Sequence, residues 1–267
     1  MASPYLGWKK AELHCHLDGA VRVATAEELS GSRGLRMVAP DDCPSQAEYI
    51  KYFDDAVEVM QTAGALERIA YELCVDSAAE NIDYLEVRWA PRLHLQNGLT
   101  VAQAIGAVLS GLDSGPIEAV AIVCAMRHHP PQENVDLARI AGGFAGRGVV
   151  GFDMAGDEAR YPAAPHKPAF EAARGAGLHL TCHAGEAGDP SSVEEALDLG
   201  VERVAHGVIG ARDPRIVRAG VRCTISTDSR TVADTTLSHE FELMSQLGMT
   251  DEDLQRCNET AYDSRFR

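Results

Sequence analysis

Leu178-His179-Leu180-Thr181-Cys182-His183-Ala184-Gly185-Glu186 joins a short apolar run to a histidine, a glycine and an acid. A run this brief, with glycine on either side, reads as a buried strand. Its reactive side chains gather at the C-terminal end. The same arrangement recurs along the chain. Apolar, β-branched runs stand at 11–17, 84–90, 119–126, 149–155, 178–183, 203–208 and 221–227. Helix-like segments lie between them at 24–30, 66–80, 101–112, 135–144, 168–174 and 192–199. Strand and helix in alternation imply parallel strands joined by crossovers.

Such a sheet stays open and doubly wound, or it closes into a barrel. His14 and His16 end the first run, Arg88 the second, and Arg127-His128-His129 the third. Asp153 lies in the fourth, His206 ends the sixth, and Asp228 the last. An open sheet would collect such groups at one switch point, whereas a barrel presents them from nearly every strand end. The reading is therefore α/β, a (β/α)8 TIM-type barrel forming one domain over residues 1–267. One unit is short. About a dozen residues separate Gly207 from Val221, against the roughly 30 that a strand–helix unit takes. Strand 7 and its helix are missing from the sequence. An interruption of the chain between Asp213 and Val221 is expected, where consecutive Cα atoms should depart from the usual ~3.8 Å.

The 267 residues carry 24 Lys plus Arg against 40 Asp plus Glu, a net charge of −16. That balance disfavours nucleic acid and anionic membranes as partners, and leaves a neutral or cationic small molecule. Seven scattered cysteines include no CxxC pair, so neither a zinc knuckle nor a redox dithiol is indicated. The opening MASPYLGWKK lacks a signal-peptide pattern and no apolar run reaches ~18 residues, so the expected location is cytoplasmic. Gly146 to Gly151 spells GxGxxG but runs into a strand instead of opening a helix, which excludes a dinucleotide site.

His14 and His16 alternate onto one face of their strand, with Cys15 on the other. Two inward imidazoles side by side suit a metal. His183 offers a third ring and Glu186 an acid aimed into the same cavity. Asp228 supplies a hard oxygen that completes the set. Three His and one carboxylate suit Zn²⁺ with a water in the open position. His206 would then serve as proton carrier to that water. Each motif alone has an ordinary explanation, such as a loop histidine or an Asx turn. Their joint placement at strand ends does not.

With these residues in hand, the chain resembles the adenosine deaminase family of zinc-dependent amidohydrolase barrels. The resemblance runs from about Lys10 to about Phe266. It rests on 11–19 (AELHCHLDG), 84–88 (YLEVR), 151–158 (GFDMAGDE), 183–186 (HAGE), His206-Gly207 and Ser226-Thr227-Asp228, all in order. It implies one Zn²⁺ per chain, held by His14, His16, His183 and Asp228. It also implies hydrolytic deamination of adenosine or 2′-deoxyadenosine to inosine or 2′-deoxyinosine plus ammonia, by attack of zinc-bound hydroxide at purine C6. Glu186 would protonate N1 and His206 would orient and help deprotonate the water. Gly185 would meet N3 through its backbone, Asp18 would accept from the ribose 5′-hydroxyl, and Gly156 would line the pocket floor. Residues 49–62, with Tyr52, Phe53, Val57 and Met60, correspond to an apolar lid.

One departure bears on the substrate. After Asp228 the family usually carries Asp or Asn, which hydrogen-bonds N7, and here Ser229 stands instead. Adenine deaminase and aminodeoxyfutalosine deaminase are near relatives and form the alternative substrate reading. A barrel with two metals bridged by a modified Lys is disfavoured, since no Lys occurs between Lys51 and Lys167. A catalytically inactive purine-binding homologue is disfavoured by the intact set of reactive residues. The expected partners are a purine nucleoside or base and water.

Overall fold

The computed structural model describes residues 3–187, 190–207, 218 and 220–267. Six strands form one parallel sheet in the order of the sequence: β1 (Lys10–His16), β2 (Ile82–Trp89), β3 (Glu118–Met126), β4 (Val149–Ala155), β5 (His179–Ala184) and β6 (Arg203–His206). Between β1 and β2 lie α1 (Val23–Ser30), α2 (Gln46–Tyr49), α3 (Asp54–Val59) and α4 (Ala63–Ala79). One crossover helix follows each of the next four strands: α5 (Val101–Asp113), α6 (Pro131–Gly142), α7 (Lys167–Gly175) and α8 (Pro190–Asp198). The helices α9 (Leu237–Gln246) and α10 (Asp251–Asp263) complete the described elements. The result is a nearly closed α/β barrel.

Local chemistry sets these boundaries. Thr62 caps α4 by accepting from Ala65 N, and Thr100 with Gln103 forms a capping box at α5. Thr250 and Asp253 form another at α10. On α4, Leu66, Ile69, Ala70 and Leu73 recur at helical spacing and are buried between helix and sheet. Phe152 of β4 meets Phe170 of α7 edge to face, with ring centroids 5.5 Å apart.

The strand expected at 221–227 is corrected. Residues 221–227 form no strand; only Asp228, at their end, bridges in parallel to Cys15 of β1. Val221 is 54% exposed, and among the described residues β6 pairs with β5 alone. The physical reason is the lack of a neighbour, since a strand is held by ladders on its flanks and this segment reaches one only at its last position. The expected chain interruption between Asp213 and Val221 falls on 213–217 and 219, outside the described residues.

Candidate active site

Strand alternation points His14 and His16 inward from the end of β1, and parallel register sets His183 of β5 beside Ala205 of β6. The rings converge. His14 Nε2 lies 3.3 Å from His16 Nε2, which in turn lies 2.9 Å from His183 Nε2. Asp228 Oδ1 stands 2.8 Å from His14 Nε2 and 3.5 Å from His16 Nε2. His14, His183, His206 and Asp228 also offer one ligand atom each within 4.8 Å of one another. A tetrahedron with metal–ligand bonds of about 2.0–2.1 Å has edges near 3.4 Å, so these separations are those of a coordination shell. The cluster could hold a metal ion.

Asp228 reaches this position by an unusual backbone. Its φ is 59°, its N–H donates to His14 O at 2.9 Å and its carbonyl accepts from His16 N at 2.7 Å. His206, with φ 76°, ends β6 in the same left-handed region. Non-glycine residues there carry strain of about 1–3 kcal/mol, which concentrates at functional positions.

Electrostatics keep the ligand atoms available. Burial drives the His14 ring well below the ordinary imidazole range, with the Arg88 charge adding to it. Burial likewise takes His16 down to about 3 and lowers His206. Neutral rings present the lone pairs a metal needs. For Asp228, burial pushes upward, but the His14 hydrogen bond and the imidazoles crowded around it outweigh burial and hold the carboxyl well below its usual value.

Behind His183 stands Asp153 of β4, fully buried, with Oδ2 3.0 Å from His183 Nδ1 and 2.8 Å from Arg88 Nη1. Arg88 also donates to Leu13 O at 2.6 Å, next to His14. A carboxylate behind a ligating imidazole fixes its tautomer and orientation. Both residues were visible as strand-end polar groups, but nothing in the sequence joined them to His183.

The turn after β5 is built around Glu158. Its carboxylate accepts from Gly185 N at 2.7 Å, Glu186 N at 3.0 Å and Ala187 N at 2.9 Å. Burial raises this carboxyl, but a Ser192 hydrogen bond and the three backbone donors outweigh it and lower its pKa. The Gly185 N–H donates to Glu158 Oε1 and, at 3.0 Å, to Ser192 Oγ, which braces the turn at the residue whose backbone the resemblance places near purine N3. Glu186 points to the cluster, with Oε2 3.4 Å from His206 Nε2.

A cavity of about 510 Å³ opens over these groups. His16, Asp18, Gly156, His183, Glu186, His206, Asp228 and Ser229 line it, together with Tyr49, Phe53 and Val57 of the lid. Asp18 is buried, its Oδ1 has no hydrogen-bond partner, and burial pushes its carboxyl up to about 6. Gly156 has φ 110° on the floor, which favours glycine. Ser229 is fully buried and donates from Oγ to Asp228 Oδ2 at 3.2 Å. Just before the lid segment, Gln46 of α2 places its polar tip in the site, and Tyr49 also lines it. No sequence signal marked either. Among the described residues no Lys or Arg lines the cavity.

A barrel with a metal-capable His and Asp cluster at its strand ends defines a class of hydrolases, and comparison with known proteins narrows it. The sequence model of the adenosine deaminase family matches residues 9–218. The adenosine deaminase of Lacticaseibacillus casei is 32% identical over 308 aligned positions, covering 96% of this chain and 91% of that protein. Since 96% of 267 residues is about 256, that alignment holds about fifty positions that this chain lacks. An amidohydrolase from Burkholderia ambifaria, solved with bound zinc, superposes with a TM-score of 0.86 at 26% identity, covering 98% of this chain and 87% of that one. The Arabidopsis N6-mAMP deaminase shares the fold, with a TM-score of 0.88 at 23% identity over 98% and 95% of the two chains. The chain belongs to the adenosine deaminase family. It is a hydrolytic deaminase, and no helix among the described residues is long and apolar enough to cross a membrane.

Proposed function

We propose that this protein deaminates adenosine or 2′-deoxyadenosine, using one Zn²⁺ held by His14, His16, His183 and Asp228. The observation that carries the reading is the convergence of these four side chains, at edge lengths of a zinc tetrahedron, beside Glu186 and His206. His206 is kept out of the ligand set because its Nε2 stands beside the acid, 3.4 Å from Glu186 Oε2, a place that suits a proton carrier. When bound, the zinc acts as a Lewis acid that lowers the pKa of a coordinated water to about 7.

The chain's own residues do the rest. Glu186 donates a proton to N1, which makes C6 electrophilic, and water adds to C6 as His206 takes one of its protons. The exocyclic nitrogen is protonated and leaves as ammonia. Of the two water protons, one departs in ammonia and the other restores Glu186, so the products are inosine and NH3. Asp18, with an unpartnered oxygen in the cavity, accepts from a ribose hydroxyl. Among the described residues the cavity is lined by acids and by no Lys or Arg, which favours a nucleoside over a nucleotide.

The test is ammonia release by zinc-loaded protein from adenosine, 2′-deoxyadenosine, adenine and AMP. Adenosine and its 2′-deoxy form should be the best substrates. Glu186→Gln should keep its zinc and lose about 10²–10⁴-fold in kcat. Unchanged turnover in that variant would exclude Glu186 as the acid, and a preference for AMP would overturn the nucleoside assignment.

A further inference from the structure

Glu186 is held from two directions, and one of them comes from the lid. Gln46 opens α2, behind Ser45, whose hydroxyl accepts from Glu48 N at 3.3 Å. The Gln46 side chain lines the cavity. Its Nε2 donates to Glu186 Oε2 at 2.5 Å, and its Oε1 accepts from Glu158 N at 3.0 Å. Glu158 in turn binds the backbone N–H groups of Gly185, Glu186 and Ala187. The circuit is closed: lid amide, Glu158, catalytic turn, Glu186, and back to the lid amide. Both polar ends of Gln46 are engaged, so its amide cannot flip without exchanging a donor for an acceptor at each contact.

The chemistry of a carboxyl group gives this circuit a consequence. A neutral carboxyl has one oxygen that donates and one that accepts. An N–H directed at Oε2 makes Oε2 the acceptor, and His206 Nε2 lies 3.4 Å from the same atom. Oε1 is left as the oxygen that carries the proton. We infer that Gln46 is a positioning residue for the deamination, selecting Oε1 of Glu186 as the proton donor and aligning it when α2 is seated over the cavity. This rests on the deaminase reading given above. The proton passes from Oε1 to N1 as the O–H bond breaks and the N–H bond forms, and the Gln46 N–H stays on Oε2 of the resulting carboxylate.

The test is a pair of substitutions, Gln46→Ala and the near-isosteric Gln46→Met, each made in the wild type and in Glu186→Gln. In the wild type, both should lower kcat by about 10- to 100-fold with KM changed less than about threefold. Zinc content, melting temperature and calorimetric binding of inosine should be unaltered. In the Glu186→Gln background the same changes should cost less than about twofold, because the group they align is gone. An equal loss in both backgrounds would show that Gln46 does not act through Glu186. A rise in KM with kcat intact would reduce it to lid packing, and either result overturns the inference. A zinc-loaded wild type that releases no ammonia from any purine would sink the deaminase reading itself and this inference with it. That outcome is separate from the variant comparison.

Discussion

Replacing Asp153 with Asn separates two jobs done by one carboxylate. Asp153 is fully buried and Arg88 is 2% exposed, and their Oδ2–Nη1 contact is 2.8 Å. Removing one partner of such a pair leaves an uncompensated buried charge, at a cost of about 3–5 kcal/mol. Asn keeps the shape and can still accept from Met154 N, which Asp153 Oδ1 does at 2.7 Å, so the lower end, about 3 kcal/mol, is expected. The same Oδ2 faces His183 Nδ1 at 3.0 Å. Weakening that support should reduce metal affinity by roughly 10- to 100-fold, which is about 1.4–2.7 kcal/mol. Urea unfolding of the metal-free protein reads the first quantity, and competition with a chromophoric zinc chelator reads the second. Arg88→Met combined with Asp153→Asn removes the stranded charge, so it should recover much of the stability and none of the metal affinity. Metal affinity within twofold of wild type in Asp153→Asn would refute the role assigned through His183.

Three further outcomes are expected. Chelation should abolish ammonia release, and about one equivalent of Zn²⁺ per chain should restore it; full activity at verified zero metal would contradict the site. Gly19→Ala would set a Cβ 2.7 Å from both Cβ and Oγ of Ser229 and 3.0 Å from Phe53 Cε1, so it should cost about 1–3 kcal/mol in a thermal melt and raise KM. Lys10 is buried, and burial, opposed by Glu80, lowers its pKa from 10.5 to about 8. The buried charge costs stability below pH 8, and the cost fades as pH rises through the unfolded value. The wild type should therefore gain up to about 3 kcal/mol relative to Lys10→Met between pH 8 and 10.5. An unchanged difference across that range would show the shift to be absent.

The sequence was most readable where a feature depends on spacing along one strand or at one strand end. His14 and His16 share a face because side chains alternate, and His183 and Asp228 were marked by their places at the ends of apolar runs. Helix limits also came out close for α4 and α5, which Thr62 and Thr100 cap by local hydrogen bonds. What escaped depends on neighbours. Asp153 matters because β4 lies beside β5, and Glu158 because its loop passes under the turn at 185–187. Gln46 sits 140 residues from Glu186, in a four-residue helix without chemical signature. The expected strand at 221–227 failed because apolar composition does not supply a pairing edge.

That last failure leaves an asymmetry within the site. Among the described residues no strand separates β6 from the bridge at Asp228, and the Lacticaseibacillus alignment holds about fifty positions this chain lacks. Asp228 is nevertheless fixed from the other side. It exchanges backbone hydrogen bonds with His14 and His16, and Thr227 before it donates to buried Glu12 through N at 3.3 Å and Oγ1 at 3.1 Å. The cluster of His14, His16, His183 and Asp228 thus draws its support from β1, β4 and β5, which are mutually braced through Arg88 and Asp153. Among the described residues His206 has β5 alone, through the pairing of Ala184 with His206 and the bond from Gly207 N to Ala184 O at 2.9 Å. A sheet ladder on one flank confines a strand end less than ladders on both. Among the described residues the end of β6 is therefore the less braced part of the site, so loosening it should show in turnover rather than in zinc affinity.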